Sequence, residues 1–501
     1  MQTLEKTKTS SITITKEEDE PPSRSGPLEI SIKESKKEEG DSFFISKKIL
    51  IKPEIKEKGF LISFNQKDFS VVYPRNIWGK YPLFLKKVLL ENLTFALTLH
   101  LPCLLDIGSL WYLMSKPSVK DMIGEGFRDS LPATALMKSE KASKYLEKLS
   151  QTKYHFNRKE ASVPFTLPLR KIRNTALIFF TFGKDSLLTY SLCKEIGIKT
   201  MPAYVKEPLS QTEDHLKEKL AEKFFEEFKQ KILFIKNEAG SLREPYKNPS
   251  DDGWYGWEMQ LTQFGLIVLP IAFARMTNYL FFSNEQSCND KFLDKEGFWC
   301  NPVYEQSVEW IQKLGKIVQL LGMENLKVGS LIEPLHELAI IKILHHRYPE
   351  IAKYQMSCSS FNEYKIIKRK SRWCGNCSKC ARIFIFLLAN NINPKKVELR
   401  NNMLKLKYRQ KYALFGCDKD SNYGYDVSLL GRDEQLLAFY LAYQNGYKGE
   451  LIDLFKKLYL KEAKKREKEL IKKYFGIHSA ETIPEELKDK VLKIYKEELK
   501  I

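Results

Sequence analysis

Residues Thr175 to Phe182 read Thr-Ala-Leu-Ile-Phe-Phe-Thr-Phe and run directly into Gly183-Lys184-Asp185-Ser186. A strand that is apolar on successive residues presents hydrophobic side chains to both faces, so each face needs a covering layer. That is the setting of a central strand in a parallel sheet. The pattern then repeats along the chain. Helices are predicted over Ser186–Ile196, Glu213–Lys229 and Phe264–Arg275, and strands over Thr200–Val205, Lys231–Ile235 and Tyr279–Phe282. This βαβα alternation predicts an α/β fold with an open, mostly parallel sheet and helices on both faces. Ligands of such sheets sit beyond the carboxyl ends of the strands. Further helices are predicted over Ser307–Leu321, Leu335–His345, Ala381–Asn390, near Pro394–Leu406 and over Glu434–Tyr443.

The turn Thr181-Phe182-Gly183-Lys184-Asp185-Ser186 is a strand-to-helix corner, where turn and helix amides point at anions. Gly183 lets the backbone approach a ligand closely, and Lys184 offers a point charge. Ser186 is placed to cap the helix and to donate a hydroxyl. Asp185 suits a phosphate site if it holds magnesium or orients the loop. The spaced glycines and terminal Lys-Ser/Thr of a P-loop are absent. The plainer alternative is an ordinary corner with Asp-Ser as its cap.

Cys374-Gly375-Asn376-Cys377-Ser378-Lys379-Cys380 carries three thiols, and Cys358 lies 16 residues upstream. Four thiolates with one long spacer satisfy tetrahedral Zn²⁺, and an iron–sulfur cluster uses similar ligands. A complete four-cysteine shell leaves no open position, so the expected metal is structural.

Three polar segments lie between loop and cysteines. Ser283-Asn284-Glu285-Gln286-Ser287 follows a predicted strand, where Glu285 is placed to coordinate magnesium or orient a substrate. Asn301, Tyr304, Glu305, Ser307 and Glu309 come next, with Glu305 and Glu309 on one helix face if that helix starts before Ser307. Glu333-Pro334-Leu335-His336-Glu337 enters another helix. Singly, such residues are more often caps or surface groups. Their succession behind the loop makes them candidates.

The loop is similar to the pyrophosphatase loop, Ser-Gly-Gly-x-Asp-Ser, of the adenine nucleotide alpha-hydrolase-like (HUP) superfamily: Gly183, Asp185 and Ser186 match, Thr181 replaces serine, and Phe182 replaces a glycine. The full set of motifs resembles the UDP-N-acetylmuramoyl-L-alanyl-L-glutamate epimerase family. The segments that carry this are Gly183–Ser186, Ser283–Asn289, Asn301–Glu309, Leu331–Leu338, Ser357-Cys358 and Trp373–Ala381, spread over roughly residues 170 to 445. The resemblance implies ATP and Mg²⁺ as cofactors, AMP and pyrophosphate as products, and adenylylation of a terminal glutamate. The α-proton of that glutamate would be removed and returned on the other face. It implies nucleotide binding by Thr181, Phe182, Gly183, Lys184, Asp185, Ser186, Ser283 and Asn284, with Asp185, Glu285, Glu305, Glu309 and His336 as catalytic candidates. Structural Zn²⁺ would sit on Cys358, Cys374, Cys377 and Cys380. Cys288 departs from the family's alanine, and Glu333 stands where an arginine is expected. The 7-cyano-7-deazaguanine synthases share a similar loop and cysteine site, which keeps a nucleobase- or tRNA-modifying enzyme as the alternative.

Length and composition set the remaining expectations. A chain of 501 residues is expected to hold two or three domains. The divisions expected are a disordered or loosely attached segment over 1–45, a smaller α+β domain over 46–165, the ATP pyrophosphatase-like α/β domain over 166–445, and a lysine-rich helical tail over 446–501 that reads as a solvated appendage. In the second of these, Ile49–Tyr73 reads as a small antiparallel sheet and Leu83–Leu149 mainly as helix. The net charge of +19 suits an anionic small molecule, a peptidyl-nucleotide or tRNA, but the lysines are dispersed rather than gathered into one patch. Nine cysteines, four of them clustered, fit a reducing cytoplasm and not a secreted disulfide scaffold. The N-terminus is polar and charged, unlike a signal peptide. The apolar stretch Val88–Met114 is interrupted by Glu91, Asn92, His100, Pro102 and Asp106, and reads as two short buried helices rather than a membrane span.

Overall fold

The fold is that of a computed structural model, which describes residues 48–105, 107–164, 173–208, 211–244, 254–358, 371–416 and 429–500. The expected N-terminal segment 1–45, Asp106 and Cys417 lie outside the described residues.

From the N-terminus come strands β1 (Lys48–Lys56), β2 (Gly59–Phe64) and β3 (Lys67–Val72), helix α1 (Leu83–Thr98), β4 (Ser109–Lys116), α2 (Lys120–Met137) and β5 (Lys153–Ala161). The alternating part follows: β6 (Arg173–Phe179), α3 (Lys184–Glu195), β7 (Lys199–Lys206), α4 (Gln211–Phe228), β8 (Leu233–Asn237), α5 (Gln260–Ile267), α6 (Leu269–Arg275) and β9 (Thr277–Phe282). A two-strand hairpin, β10 (Phe292–Leu293) and β11 (Trp299–Cys300), precedes α7 (Val308–Leu320), β12 (Lys327–Ser330) and α8 (Glu337–Arg347). The chain then forms α9 (Ser378–Ala389), α10 (Leu429–Gln444), α11 (Glu450–Leu458), α12 (Leu460–Tyr474) and α13 (Glu485–Leu499).

Ten strands build one mixed sheet in the order β12-β9-β6-β7-β8-β3-β2-β1-β4-β5. The five strands from β12 to β8 run parallel, as the apolar strands required. β1, β2 and β3 form the expected antiparallel meander, while β1–β4 and β4–β5 pair in parallel. The two halves join through a short antiparallel contact, Val71 opposite Asn237 and Val72 opposite Lys236. Residues 47–501 thus form one compact unit, and the boundary expected at 165 falls between strands of a single sheet.

Several elements differ from expectation for physical reasons. The stretch expected as two helices holds α1, a four-residue helix Leu101–Leu104 and then β4, because the backbone of Ser109–Tyr112 pairs with β1. The helix expected over Phe264–Arg275 is split at Val268, where Pro270 cannot continue the hydrogen-bond ladder. The tail is no appendage: Leu451, Phe455, Leu470 and Tyr474 pack into a core with α9 and α10, and Leu487, Val491 and Tyr495 into another with α3 and α8. Its lysines cover the outward faces. Among the described residues no helix is long and apolar enough to cross a membrane.

Candidate functional site

In the parallel half the chain starts at β6, moves outward through β7 and β8, then returns to the other side of β6 to lay down β9 and β12. The order reverses at β6 and β9, so a crevice opens where their carboxyl ends diverge. The loop Thr181–Ser186 leaves β6 there, Ser283–Glu285 leaves β9, and Glu333–Glu337 follows β12.

Phe182 has φ +59°, the left-handed region that favours glycine. The backbone therefore keeps a glycine-like turn although the residue is phenylalanine. Its ring is buried against Phe180, Phe224 and Tyr354, and its carbonyl accepts a 2.7 Å hydrogen bond from Met356 N. Aromatic burial holds the strained turn in place. α3 begins at Lys184, earlier than expected, with Gly183 as its N-cap. Ser186 consequently does not cap the helix. Its hydroxyl accepts from Thr181 N and donates to Gly183 O, both at 3.2 Å, and so ties the turn together.

Lys184 is buried, and its Nζ lies 2.6 Å from Asp185 Oδ1, 3.0 Å from Glu285 Oε2 and 3.4 Å from Glu337 Oε2. Burial alone would lower the ammonium pKa, but the three carboxylates outweigh it and raise it, so Lys184 stays charged. Glu337 also faces Arg382 at 3.4 Å. Burial pushes the Glu285 carboxyl up, and the neighbouring Glu337 pushes it further. Against the same burial, Arg382 and Lys184 hold Glu337 below the ordinary carboxylate value. The two carboxyls are thus pushed in opposite directions, Glu285 up and Glu337 down. Ser287 Oγ donates to Glu285 Oε1 at 2.8 Å and fixes its orientation.

The structure thus brings Asp185, Lys184 and Glu285 together and places other candidates elsewhere. Glu305 Oε2 accepts from Leu261 N (2.9 Å) and Thr262 N (3.2 Å), capping α5. Glu309 sits on the exposed face of α7, paired with Lys291 and Lys313. His336 is turned away from the crevice, with Nε2 3.3 Å from Asp290 Oδ2 and its ring against Tyr474 and His478. Ser283 Oγ donates to Thr189 Oγ1 at 3.1 Å, and Ser330 Oγ donates to Asn284 O at 2.7 Å. These last contacts fasten β9 to α3 and β12.

Two adjoining cavities flank Lys184. One, of about 310 Å³, is lined by Thr181, Gly183, Lys217, Lys379 and Arg382 among others. The second, of about 360 Å³, reaches between α2 and the 302–306 turn and includes Glu258, Glu285 and Glu305. Both share Lys184, Asp185, Glu337, Lys379 and Arg382. Sequence reasoning gave no role to Lys217, Glu258, Lys379 or Arg382, and named Glu337 only as part of the turn entering α8. Glu337 was within reach: it is the first residue of α8 after a sheet strand, one position beyond the histidine chosen. Glu258, in the turn before α5, carries no motif.

The Sγ atoms of Cys358, Cys374, Cys377 and Cys380 all lie within 4.8 Å of one another, a buried cluster able to hold a metal ion. Cys358 and Cys377 are 3.9 Å apart, and Cys374 and Cys380 3.7 Å. Backbone amides of Cys374, Asn376 and Cys380 donate to the sulfurs of Cys358, Cys374 and Cys377 at 3.4 Å. Gly375 takes φ +65°, and a Cβ there would meet Asn401 Nδ2 at 2.1 Å, so a larger residue would have to displace the Asn401 side chain. Among the described residues no carboxylate group gathers in this way. The point between Asp185, Glu285 and Glu337 is held by the Lys184 ammonium.

No family model, no curated protein and no solved structure matches this chain.

Proposed function

We propose that the protein is an ATP-dependent enzyme that adenylylates a small carboxylic acid or peptidyl-nucleotide and releases pyrophosphate, acting in the manner of an epimerase on a terminal glutamate. One observation carries this reading: the loop after β6 and the carboxylate after β9 meet at Lys184, at the point where strand order reverses. That is where open α/β sheets bind their ligands.

In this reading the triphosphate enters the cavity beside Thr181 and Gly183. Lys217, Lys379 and Arg382 line that cavity and offset the phosphate charge. Magnesium arrives with the nucleotide as part of the substrate and meets Asp185, the most open of the three carboxylates at 31% exposure. The acid's carboxylate oxygen forms a bond to the α-phosphorus as the bond to pyrophosphate breaks. The acyl adenylate then has an acidified α-proton. Glu285 and Glu337, adjacent carboxyl groups pushed in opposite directions, supply an acid and a base for removing and returning it, and water then cleaves the acyl adenylate to the epimerised acid and AMP.

We further read the cysteine cluster as a structural zinc site in a reducing cytoplasm. A Zn–S bond of about 2.3 Å sets a tetrahedral edge of about 3.8 Å, which the 3.7 and 3.9 Å sulfur separations match.

The test is incubation of the full chain with ATP, magnesium and a panel of small acids and glutamate-terminated peptides. Pyrophosphate release and solvent deuterium at the α-carbon are followed together. Asp185→Asn should lower acid-dependent pyrophosphate release by about 100-fold or more, a loss on the scale of one charge-stabilising group. Full activity in that variant, or no AMP from any acid, would sink the proposal.

A further inference from the structure

Helix α4 lends residues to two cavities. Glu213 and Lys217 line the first, beside Thr181 and Gly183. Leu216, Lys219, Leu220 and Lys223 line a third, of about 330 Å³, which shares no residue with the first. Lys353, Tyr354, Arg372, Lys396 and Glu398 complete its walls. Leu216, Leu220 and Tyr354 are buried and give it an apolar lining. The Tyr354 hydroxyl donates to Glu227 Oε2 at 2.7 Å and is 3.2 Å from Lys223 O, which ties the 353–354 segment to α4 and holds the two walls together.

The charges of this cavity do not balance. Five cationic side chains line it against one carboxylate, Glu398. Two of the five are neutralised in place. Arg372 Nη2 lies 3.0 Å from Glu398 Oε1, and Lys353 Nζ lies 2.7 Å from Glu227 and 2.8 Å from Glu350. Among the described residues, no carboxylate stands within ion-pair distance of Lys219, Lys223 or Lys396. All three are exposed, so a ligand can reach them. Lys219 and Lys223 are one helical turn apart on the same face, where like charges repel. An anion in the cavity would relieve that repulsion, and the apolar lining would strengthen its attraction to the ammonium groups.

We propose that the third cavity binds a small molecule bearing two or more adjacent phosphate groups, held by Lys219, Lys223 and Lys396. Lysine binds phosphate as a mobile point charge with three donors. A single phosphate group carries about −1.5 to −2 at neutral pH, which leaves part of the three positive charges unmet, whereas two linked phosphates match them. The volume is near the lower end for small-molecule sites and suits a compact ligand. The site stands apart from the adenylylation reading, since none of its residues takes part in that chemistry.

Calorimetric titration of the full chain with inorganic tripolyphosphate, at an ionic strength of about 0.15 M, tests it. The first cavity also offers cations to this probe, so the readout is the difference made by the double variant Lys219→Ala/Lys223→Ala. That variant should lose one binding event per chain, or bind at one site at least tenfold more weakly. It removes two exposed, mutually repelling charges and should melt at or above the temperature of the unsubstituted chain. The control is Lys464→Ala/Lys468→Ala, which takes the same charge from the exposed face of α12, outside the cavity, and should bind as the unsubstituted chain does. Inorganic phosphate and citrate should bind at least tenfold more weakly than tripolyphosphate. No binding, unchanged binding in the Lys219/Lys223 variant, equal weakening in both variants, or no preference over phosphate and citrate overturns the proposal. A decauridylate that binds more tightly than tripolyphosphate through the same lysines would assign the cavity to nucleic acid and overturn it as well. Pyrophosphate release from ATP is not read in this titration, so adenylylation stands or falls separately.

Discussion

Single residues in this chain carry conflicts that their neighbours resolve. Phe182 adopts a glycine-like φ of +59° and compensates by burying its ring among Phe180, Phe224 and Tyr354. The backbone strain is about 1–2 kcal/mol, and the buried ring is worth about 3–5 kcal/mol. Phe182→Gly should therefore lower unfolding free energy by about 2 kcal/mol in urea titration; a stabilised variant would show that the strain dominates. Glu258 and Glu305 make a second conflict. Burial raises each carboxyl to about 8, in the case of Glu305 against the pull of two backbone amides. Unfolded, both ionise near the ordinary value of 4.5. Between these limits the native state binds more protons than the unfolded one, so the stability they contribute is fully present below about 4.5 and is lost as pH rises through about 8. Unfolding free energy should fall from pH 5 to pH 8, and less steeply in Glu258→Gln; a pH-independent profile would contradict the burial argument. Side chains of this kind were only partly legible in the sequence. Lys184, Asp185 and Glu285 stood out because each follows a strand. His336 was chosen over Glu337 because nothing in the letters says which of two adjacent polar residues turns inward at a helix start. Glu258 has no pattern at all, because its surroundings come from α2, distant in sequence.

At the scale of elements, legibility followed burial. β6, β7, β8 and β9 were readable because they are apolar on both faces. β5, Lys-Tyr-His-Phe-Asn-Arg-Lys-Glu-Ala, was not, because it is an edge strand with mostly exposed side chains. β12 has only four residues. α11 to α13 were read as helix but misjudged as solvated, since lysine on the outward face masks the apolar stripe inside. The clip that holds the last of them is Glu333, whose carboxylate accepts from Glu481 N at 3.0 Å and from Thr482 N and Oγ1, both at 2.6 Å. An acid at this position thus has a local purpose unrelated to ligand charge. Glu333→Ala should cost about 2–4 kcal/mol, because it leaves buried donors unsatisfied. Amide exchange over 479–499 should accelerate by about tenfold or more, with β6 and β9 unchanged. Unaltered exchange in that segment would mean that apolar packing alone secures it.

For the whole molecule, one sheet unites the two halves, and the cysteine cluster borders a further core built on α9. That helix starts at Ser378, inside the cysteine turn, and its apolar face joins α10 and α12 in a common core. Metal analysis should find one zinc per chain. Chelation or Cys380→Ser should loosen α9 to α12 first, visible as lost near-ultraviolet dichroism before the parallel sheet melts; a fully native spectrum after metal removal would refute the clamp. The far edge of the sheet has a different guard. β12 pairs with β9 on one side, and on the other Thr482 accepts from Ser330 N at 3.2 Å, while a Cβ at Gly329 would stand 1.9 Å from Thr482 O. Ser330 and Thr482 are 152 positions apart. During synthesis on the ribosome, β12 therefore emerges long before the segment that shields it. Its open backbone must be protected through that interval, so a message truncated anywhere between the two yields a polypeptide with an adhesive sheet margin. The burden on the cell's folding helpers should accordingly fall on the late part of translation.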